Sequence, residues 1–343
     1  MERIDFVLPW VDGNDPIWQK EKEKHNPVRN SDSNSLARFR DMGTLKYVLR
    51  AIEKNCPWYN KIYIITIGHY PKWLDINHEK IVLVTHEELF FNKQDLPIFN
   101  SVSIEMNLAN LKELSDKFVY LNDDTIIINS LEKERFFIEN KPVDFLSHGW
   151  ISRGLFFEKI KGRDSWIFSL NNTLELINKK FKPLKLSQNT LYHESYSFKD
   201  KISNFLLENI YKNFLWLEHW HHPQPFLKET INDVFNEFEQ EMLASSKNKF
   251  RSNTDLNQYI YRYWQFATNN FYAYKHNDAL VANLGSVDIL DSLIKKIENN
   301  QNMNFVCFND DIHLSENEYD EVKDKLVIYL DSKFTNKAYF EIK

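Results

Sequence analysis

Apolar and polar positions alternate along the chain in short blocks, and most blocks read as strands or helices. Ile4 to Leu8 is an apolar run stopped by Pro9; it opens into Trp10-Val11-Asp12-Gly13-Asn14-Asp15, a strand feeding a loop that carries Asp12 and Asp15. Residues 16–34 are polar and charged and read as an exposed or mobile loop. Leu45, Val48, Leu49 and Ile52 follow helical spacing, with Asp41 as the expected N-cap and Pro57 just beyond the end. Ile62 to Ile67 and Ile81 to Thr85 are β-rich, and Ser101 to Leu111 reads as a second helix. Lys117 to Leu121 is then a buried strand that ends on Asn122-Asp123-Asp124, followed by a further apolar run. Strands alternating with helices at this spacing predict an α/β fold, a mostly parallel central sheet flanked by helices. Such sheets bind ligands and metals at strand ends, so the Asn-Asp-Asp cluster is the expected centre of the site.

Beyond Asn129 the pattern loosens. Residues 132–216 read as a helical insertion or cap, with a weaker helical pattern from Ile202 to Phe214. Helices are expected over Ile231 to Ala244, Leu256 to Ala267 and Val287 to Ile297, and strands over Ala279 to Val281 and Phe305 to Phe308. The last strand ends on Asn309-Asp310-Asp311, a local echo of the first cluster. The implied division is a core from 1–131 and 217–312, the insertion between them, and a packed but peripheral tail over 313–343.

Composition narrows the functions open to this fold. The 343 residues are 43% hydrophobic, enough for a sizeable core. Only seven glycines occur and neither GxxxxGK[ST] nor GxGxxG is present, which removes glycine-rich phosphate loops. A net charge of −6 argues against a nucleic-acid partner, since no global positive field exists. Cys56 and Cys307 cannot make a disulfide framework, and the start Met1 to Asp5 enters a strand with no leader pattern. No run of about 18 apolar residues predicts a membrane span.

The candidate chemistry has three parts. Adjacent Asp123 and Asp124 suit a divalent cation such as Mg²⁺ bridging substrate phosphates; the alternative is a turn in which Asn122 and Asp123 satisfy backbone donors. His219-Trp220-His221-His222-Pro223 lacks the ligand spacing of a zinc site. One of its imidazoles can take a hydroxyl proton or offset phosphate charge, against the alternative of packed aromatic surface. Arg251 has the fork that matches phosphate oxygens, while Arg38 and Arg40 read either as phosphate clamps or as ion-pair partners of Asp41.

Together these stretches resemble the Stealth family, phosphotransferases that pass a sugar 1-phosphate from a nucleotide sugar to an acceptor hydroxyl. The resemblance runs in four regions: Ile4 to Asp15, Arg38 to about Asn129, His221-His222-Pro223 through Arg251, and Cys307-Phe308-Asn309-Asp310. Departures are Leu8-Pro9 for the family's Tyr-Thr, Ile67 and His69 in its Thr-Asn-Gly-Gln turn, and Met42 in its Phe-Arg-Asp-Asn. It implies a glycosyltransferase-A-like, Rossmann-like core with Asp124, His221 and Arg251 as catalytic residues; His222 competes for the histidine. Asp12, Arg38, Arg40, Asn122 and Asp310 are then substrate contacts, and Asp123 and Asp124 ligands of Mg²⁺ or Mn²⁺. The implied partners are a nucleotide sugar, a UDP-sugar first, and a glycan acceptor carried on a lipid. The implied setting is the bacterial cytoplasm, peripheral to the inner membrane face. The competing readings are a metal-dependent glycosyltransferase that moves only the sugar and a non-catalytic carbohydrate-binding protein.

Overall fold

The structure, a computed structural model, describes residues 2–25, 39–148, 165–218, 221–311 and 314–342. The chain order opens β1 (Ile4–Pro9), α1 (Pro16–His25), α2 (Leu45–Asn55), β2 (Ile62–Thr66), β3 (Ile81–Thr85), α3 (His86–Leu89), α4 (Ser101–Glu105), β4 (Lys117–Tyr120) and β5 (Thr125–Ile127). There follow β6 (Phe137–Ile138), β7 (Lys141–Asp144), α5 (Ser165–Lys180), α6 (Gln188–Tyr192), α7 (Phe198–Leu206), β8 (Gln224–Leu227) and α8 (Lys228–Ser246). It closes with α9 (Tyr259–Ala267), β9 (Tyr272–Ala273), β10 (Ala279–Asn283), α10 (Val287–Glu298), β11 (Phe305–Asn309) and α11 (Glu316–Lys333).

The main sheet has the order β3-β2-β1-β4-β8. Its first four strands are parallel, with Phe6 opposite Ile62 on one side and Val119 on the other, and β8 closes the edge antiparallel to β4. This 3-2-1-4 order is that of a Rossmann-like sheet, so the expected mostly parallel α/β core is borne out. A sheet covered on both faces needs apolar residues at every position, and β1, β2 and β4 are buried almost throughout. Alternate residues serve separate cores. Phe6, Leu8, Ile62 and Ile64 pack with Val48, Leu49 and Ile52 of α2, whereas Val7, Tyr63, Phe118 and Tyr120 pack with α5, α8 and α9. The insertion is continuous with that second core through Leu170, Leu174 and Ile177.

A second sheet, β10-β11-β5, decides where the acidic turns lie. β4 and β5 belong to separate sheets, so Asn122-Asp123-Asp124 is the crossing between them. β11 runs antiparallel to β5, with Cys307 opposite Thr125, and the Phe308 N–H donates to the Asp124 carbonyl at 3.0 Å. The two Asn-Asp-Asp stretches, an echo in sequence, therefore meet in space.

Three local expectations change. Residues 16–25 of the expected loop form α1: Asp15 accepts from the Ile17 and Trp18 N–H groups at 2.8 and 3.4 Å, and Pro16 takes the first helical position. Residues 26–34 of that loop fall outside the described residues. Thr44, not Asp41, stands at the N-cap of α2; the Asp41 carboxylate instead accepts from the Gly43 N–H at 2.7 Å, where φ is +76°. The helix expected to reach Leu111 stops at Glu105, because the buried Asn107 amide donates to the Ser103 carbonyl and to Ser246 Oγ, both at 2.8 Å. The tail contributes Val322, Leu326 and Leu330 to the first core. Glu341 accepts from Arg50 at 2.5 and 2.8 Å, which pins the tail to α2.

Candidate active site

Asp124, His221 and Arg251 all line one cleft of about 460 Å³, together with Arg40, Asn122, Asp123 and Asp310. It opens past the C-terminal ends of β1 and β4, where Leu121 N–H to Val7 carbonyl (3.1 Å) keeps the two chain exits adjacent. Gly13 sits against the Phe39 backbone so closely that a Cβ would fall 1.6 Å from its carbonyl oxygen. Only glycine allows this approach, which sets Phe39-Arg40-Asp41 beside the loop after β1.

Asp124 Oδ1 lies 4.0 Å from His221 Nε2. The Asn122 amide donates to the same Nε2 at 2.8 Å, which leaves the ring proton on Nδ1. Burial, and then the charges of Asp124 and Asp41, hold the Asp123 carboxyl well above its usual range. Asp123 thus favours its neutral form.

The loop carrying Arg251 is stapled to the segment before α4. The Phe99 N–H donates to the Lys249 carbonyl at 2.9 Å, the Phe99 and Phe250 rings stack at 5.3 Å, and Asn100 donates to Asp255 at 3.1 Å. The Arg251 guanidinium is 3.5 Å from Ser101 Oγ and offsets the charge of Glu105.

Glu105 escaped the sequence reading. Buried at the cleft, it accepts from the Gln258 N–H at 2.9 Å and from the Tyr120 hydroxyl at 3.1 Å. Burial pushes its carboxyl up to about 7, with Gln258 and Arg251 acting the other way. The available signal was an acid flanked by Val102, Ile104 and Met106, that is, a charge on the buried face of a helix.

Other predicted residues are placed differently. Arg40 makes a two-pronged bond to Asp310 (2.7 and 2.8 Å), donates to the Asp311 carbonyl at 3.0 Å and lies over the Tyr319 ring. It pairs with Asp310 rather than Asp41, and each neutralises the other at the cleft wall. Asp12 does not line the cleft; its carboxylate accepts from the Asn14 N–H and its own N–H donates to His69 Nε2 at 2.8 Å. His69 also stands 3.0 Å from Asp15, so the residue that departs from the family turn braces the β1 loop. Arg38 and His219 lie outside the described residues.

Among the described residues, Asp124, His221 and Cys307 bring one donor atom each within 4.8 Å of one another. Asp123, expected as the second ligand beside Asp124, is not in this group. Burial raises the Cys307 thiol well above its usual range, and His221 Nε2 is engaged by Asn122. A hard cation such as Mg²⁺ prefers oxygen, and Asp124 is the oxygen donor of the three. Three further cleft atoms are buried without a partner among the described residues: the Trp10 indole N–H, Asn100 Oδ1 and Gln258 Oε1. Unmatched donors and acceptors of this kind suit a polar ligand.

Comparison with known proteins supplies the family. Residues 2–25 match the family model of Stealth protein CR1, conserved region 1, and residues 38–144 that of Stealth protein CR2, conserved region 2. A capsular polysaccharide phosphotransferase WcwK of Streptococcus pneumoniae is 37% identical over 100% of this chain and 99% of its own. The receptor polysaccharide phosphotransferase WefC of Streptococcus oralis is 31% identical with both chains fully covered. Among solved structures, the galactosyltransferase LgtC in complex with donor and acceptor sugar analogs aligns over 94% of this chain and 95% of its own, at 11% identity and a TM-score of 0.37. With both regions matched and full-length relatives above 30% identity, the chain belongs to the Stealth family and is a phosphotransferase.

Proposed function

We propose that the cleft transfers a hexose 1-phosphate or N-acetylhexosamine 1-phosphate from a nucleotide sugar, a UDP-sugar first, to a hydroxyl of a glycan acceptor. The acceptor oxygen attacks the sugar-proximal phosphorus, the bond to the bridging oxygen breaks, and a nucleoside monophosphate leaves. The sugar keeps its anomeric bond, and a phosphodiester joins it to the acceptor. The observation that carries this reading is the convergence of Asp124, His221 and Arg251 on one cleft from three distant parts of the chain.

Charge in such a transition state spreads over the phosphoryl oxygens, so catalysis rests on positioning and electrostatics. Arg251 faces those oxygens, and Glu105, once ionised, holds its guanidinium in place. His221 Nε2 takes the acceptor proton when the hydroxyl replaces the Asn122 amide, and Asp124 stabilises the imidazolium that forms. Mg²⁺ or Mn²⁺ held by Asp124 and substrate oxygens would neutralise the diphosphate. Trp10, Asn100 and Gln258 supply neutral hydrogen-bonding groups for sugar or base. The names of the relatives support a capsule or surface polysaccharide as the acceptor, and we take it to be a glycan growing on a membrane lipid at the inner face of the bacterial membrane. No helix among the described residues is long and apolar enough to cross that membrane.

The test is the released nucleotide. Incubation with a panel of nucleotide sugars, a polysaccharide acceptor and Mg²⁺ or Mn²⁺ is expected to give nucleoside monophosphate and a new phosphodiester signal in phosphorus NMR. Release of nucleoside diphosphate instead would establish simple glycosyl transfer. Binding of glycan without any turnover would establish a carbohydrate-binding protein.

A further inference from the structure

α7 is an amphipathic helix turned inside out. Its polar Asp200 and Asn204 are buried: Asp200 accepts from Ser147, Ser197 and Lys275, and Asn204 donates to the Leu146 and Leu191 carbonyls at 2.8 Å. Its apolar Phe198, Ile202 and Phe205, spaced i, i+4, i+7 and so on one face, are 80%, 45% and 53% exposed. The π-helical turn Leu207–Tyr211 that follows exposes Ile210 (61%), while the half-exposed Tyr211 ring stacks on buried His148 at 5.9 Å. Single exposed apolar residues are ordinary on soluble proteins, but a stripe of Phe198, Ile202 and Phe205 on one helical face, with Ile210 beyond it, is not.

The charge around the stripe is also atypical of the chain. Residues 179–213 hold seven lysines and three acidic residues, in a protein of net charge −6. Within this window Lys179 and Lys180 pair with Glu175 and Glu237 at 3.5 and 2.5 Å, and Asp200 pairs with Lys275. Lys199 and Lys212 are exposed on the stripe's own element, and Lys182 reaches Asn213 Oδ1 at 2.6 Å, just past its end. An apolar face of Phe and Ile with lysines beside it is the pattern of a helix lying in a membrane interface, and the lysines select anionic headgroups.

We infer that α7 and the turn Leu207–Tyr211 form a docking face for an anionic lipid surface. The fold joins this face to the cleft in two ways. Nine residues lie between Tyr211 and His221. α5 begins beside the cleft with Trp166 and ends near the lysine rim, and its 16 residues span roughly 24 Å at 1.5 Å per residue. Docking would hold the cleft within roughly that distance of the headgroups, in reach of a lipid-borne glycan. The inference rests on the reaction proposed above only for that purpose; lipid binding and product identity are measured independently.

The experiment is sedimentation of the full-length protein with vesicles of phosphatidylcholine alone or with 30% phosphatidylglycerol, a fraction of about one anionic lipid in three. The variants are Phe198→Ser/Ile202→Ser/Phe205→Ser, which changes exposed residues only, and Lys199→Glu/Lys212→Glu. The wild type is expected to bind anionic vesicles at least about tenfold more tightly than neutral ones, falling with salt. Both variants should lose about tenfold or more while keeping the wild-type circular dichroism and melting temperature. Their turnover of a water-soluble acceptor should be unchanged. Failure of the wild type to bind anionic vesicles, or equal binding by the serine variant, would overturn the inference. So would a concentration-dependent dimer abolished by the serine substitutions in the absence of lipid binding, since the stripe would then be covered by a second copy.

Discussion

Glu105 shows how one residue acquires a role from its surroundings. Its carboxyl reaches about 7 because burial disfavours the charge more than Gln258 and Arg251 favour it. If ionised Glu105 positions Arg251, kcat/KM rises as pH passes upward through about 7, and Glu105→Gln removes that limb and lowers the plateau. A pH-rate profile retaining the limb in the variant would assign it to another group. Arg251→Ala, His221→Ala and Asp124→Asn are each expected to lower kcat/KM by about 10²–10³, the usual consequence of removing one charge-stabilising group, with melting temperature near wild type. Wild-type turnover in any of the three would exclude that residue. Arg251 was recognisable from its place in a family pattern, because an arginine in isolation carries no signal. Glu105 needed the packing: only the tertiary structure encloses it among Tyr120, Gln258 and Arg251.

At the level of elements, the cores were readable where periodicity was strong and the caps were not. α2 matches its expected span to within a few residues because Leu45, Val48, Leu49 and Ile52 form one apolar face. α1 was missed because its Lys and Glu give little amphipathic contrast; the usable signal was Asp15-Pro16, an N-cap followed by proline. Elements also depend on one another through buried ion pairs. Arg262 of α9 donates to Asp144 of β7 at 2.7 and 2.9 Å and to the Glu218 carbonyl at 2.7 Å, joining the insertion to the segment that leads to His221. Arg262→Ala leaves Asp144 buried and unmatched and should cost about 3–5 kcal/mol in urea denaturation. Arg262→Met with Asp144→Leu should recover most of that loss; equal destabilisation by the double variant would mean that packing, not charge, dominates.

For the whole molecule, buried titratable groups set the response to acid. Burial lowers His86 and His148 to about 4, so the unfolded chain binds more protons between about 4 and 6.5, and their contribution to stability falls as pH drops through that window. Glu105 acts oppositely, since the folded state binds its proton more readily below about 7. Between pH 7 and 5 the denaturation midpoint of Glu105→Gln should therefore fall relative to that of the wild type, which keeps the opposing contribution of Glu105. A parallel decline would show that Glu105 is not held protonated by the fold. The sequence by itself determined the strand and helix blocks, the parallel α/β class and the family, because these depend on local periodicity and on residues contiguous in motifs. Only the tertiary structure decided that Asn122-Asp123-Asp124 spans two sheets, that Arg40 is matched by Asp310, and that Glu105 and Arg251 share a cleft. Those facts depend on which distant segments exclude water from the same place, and spacing along the chain does not encode that.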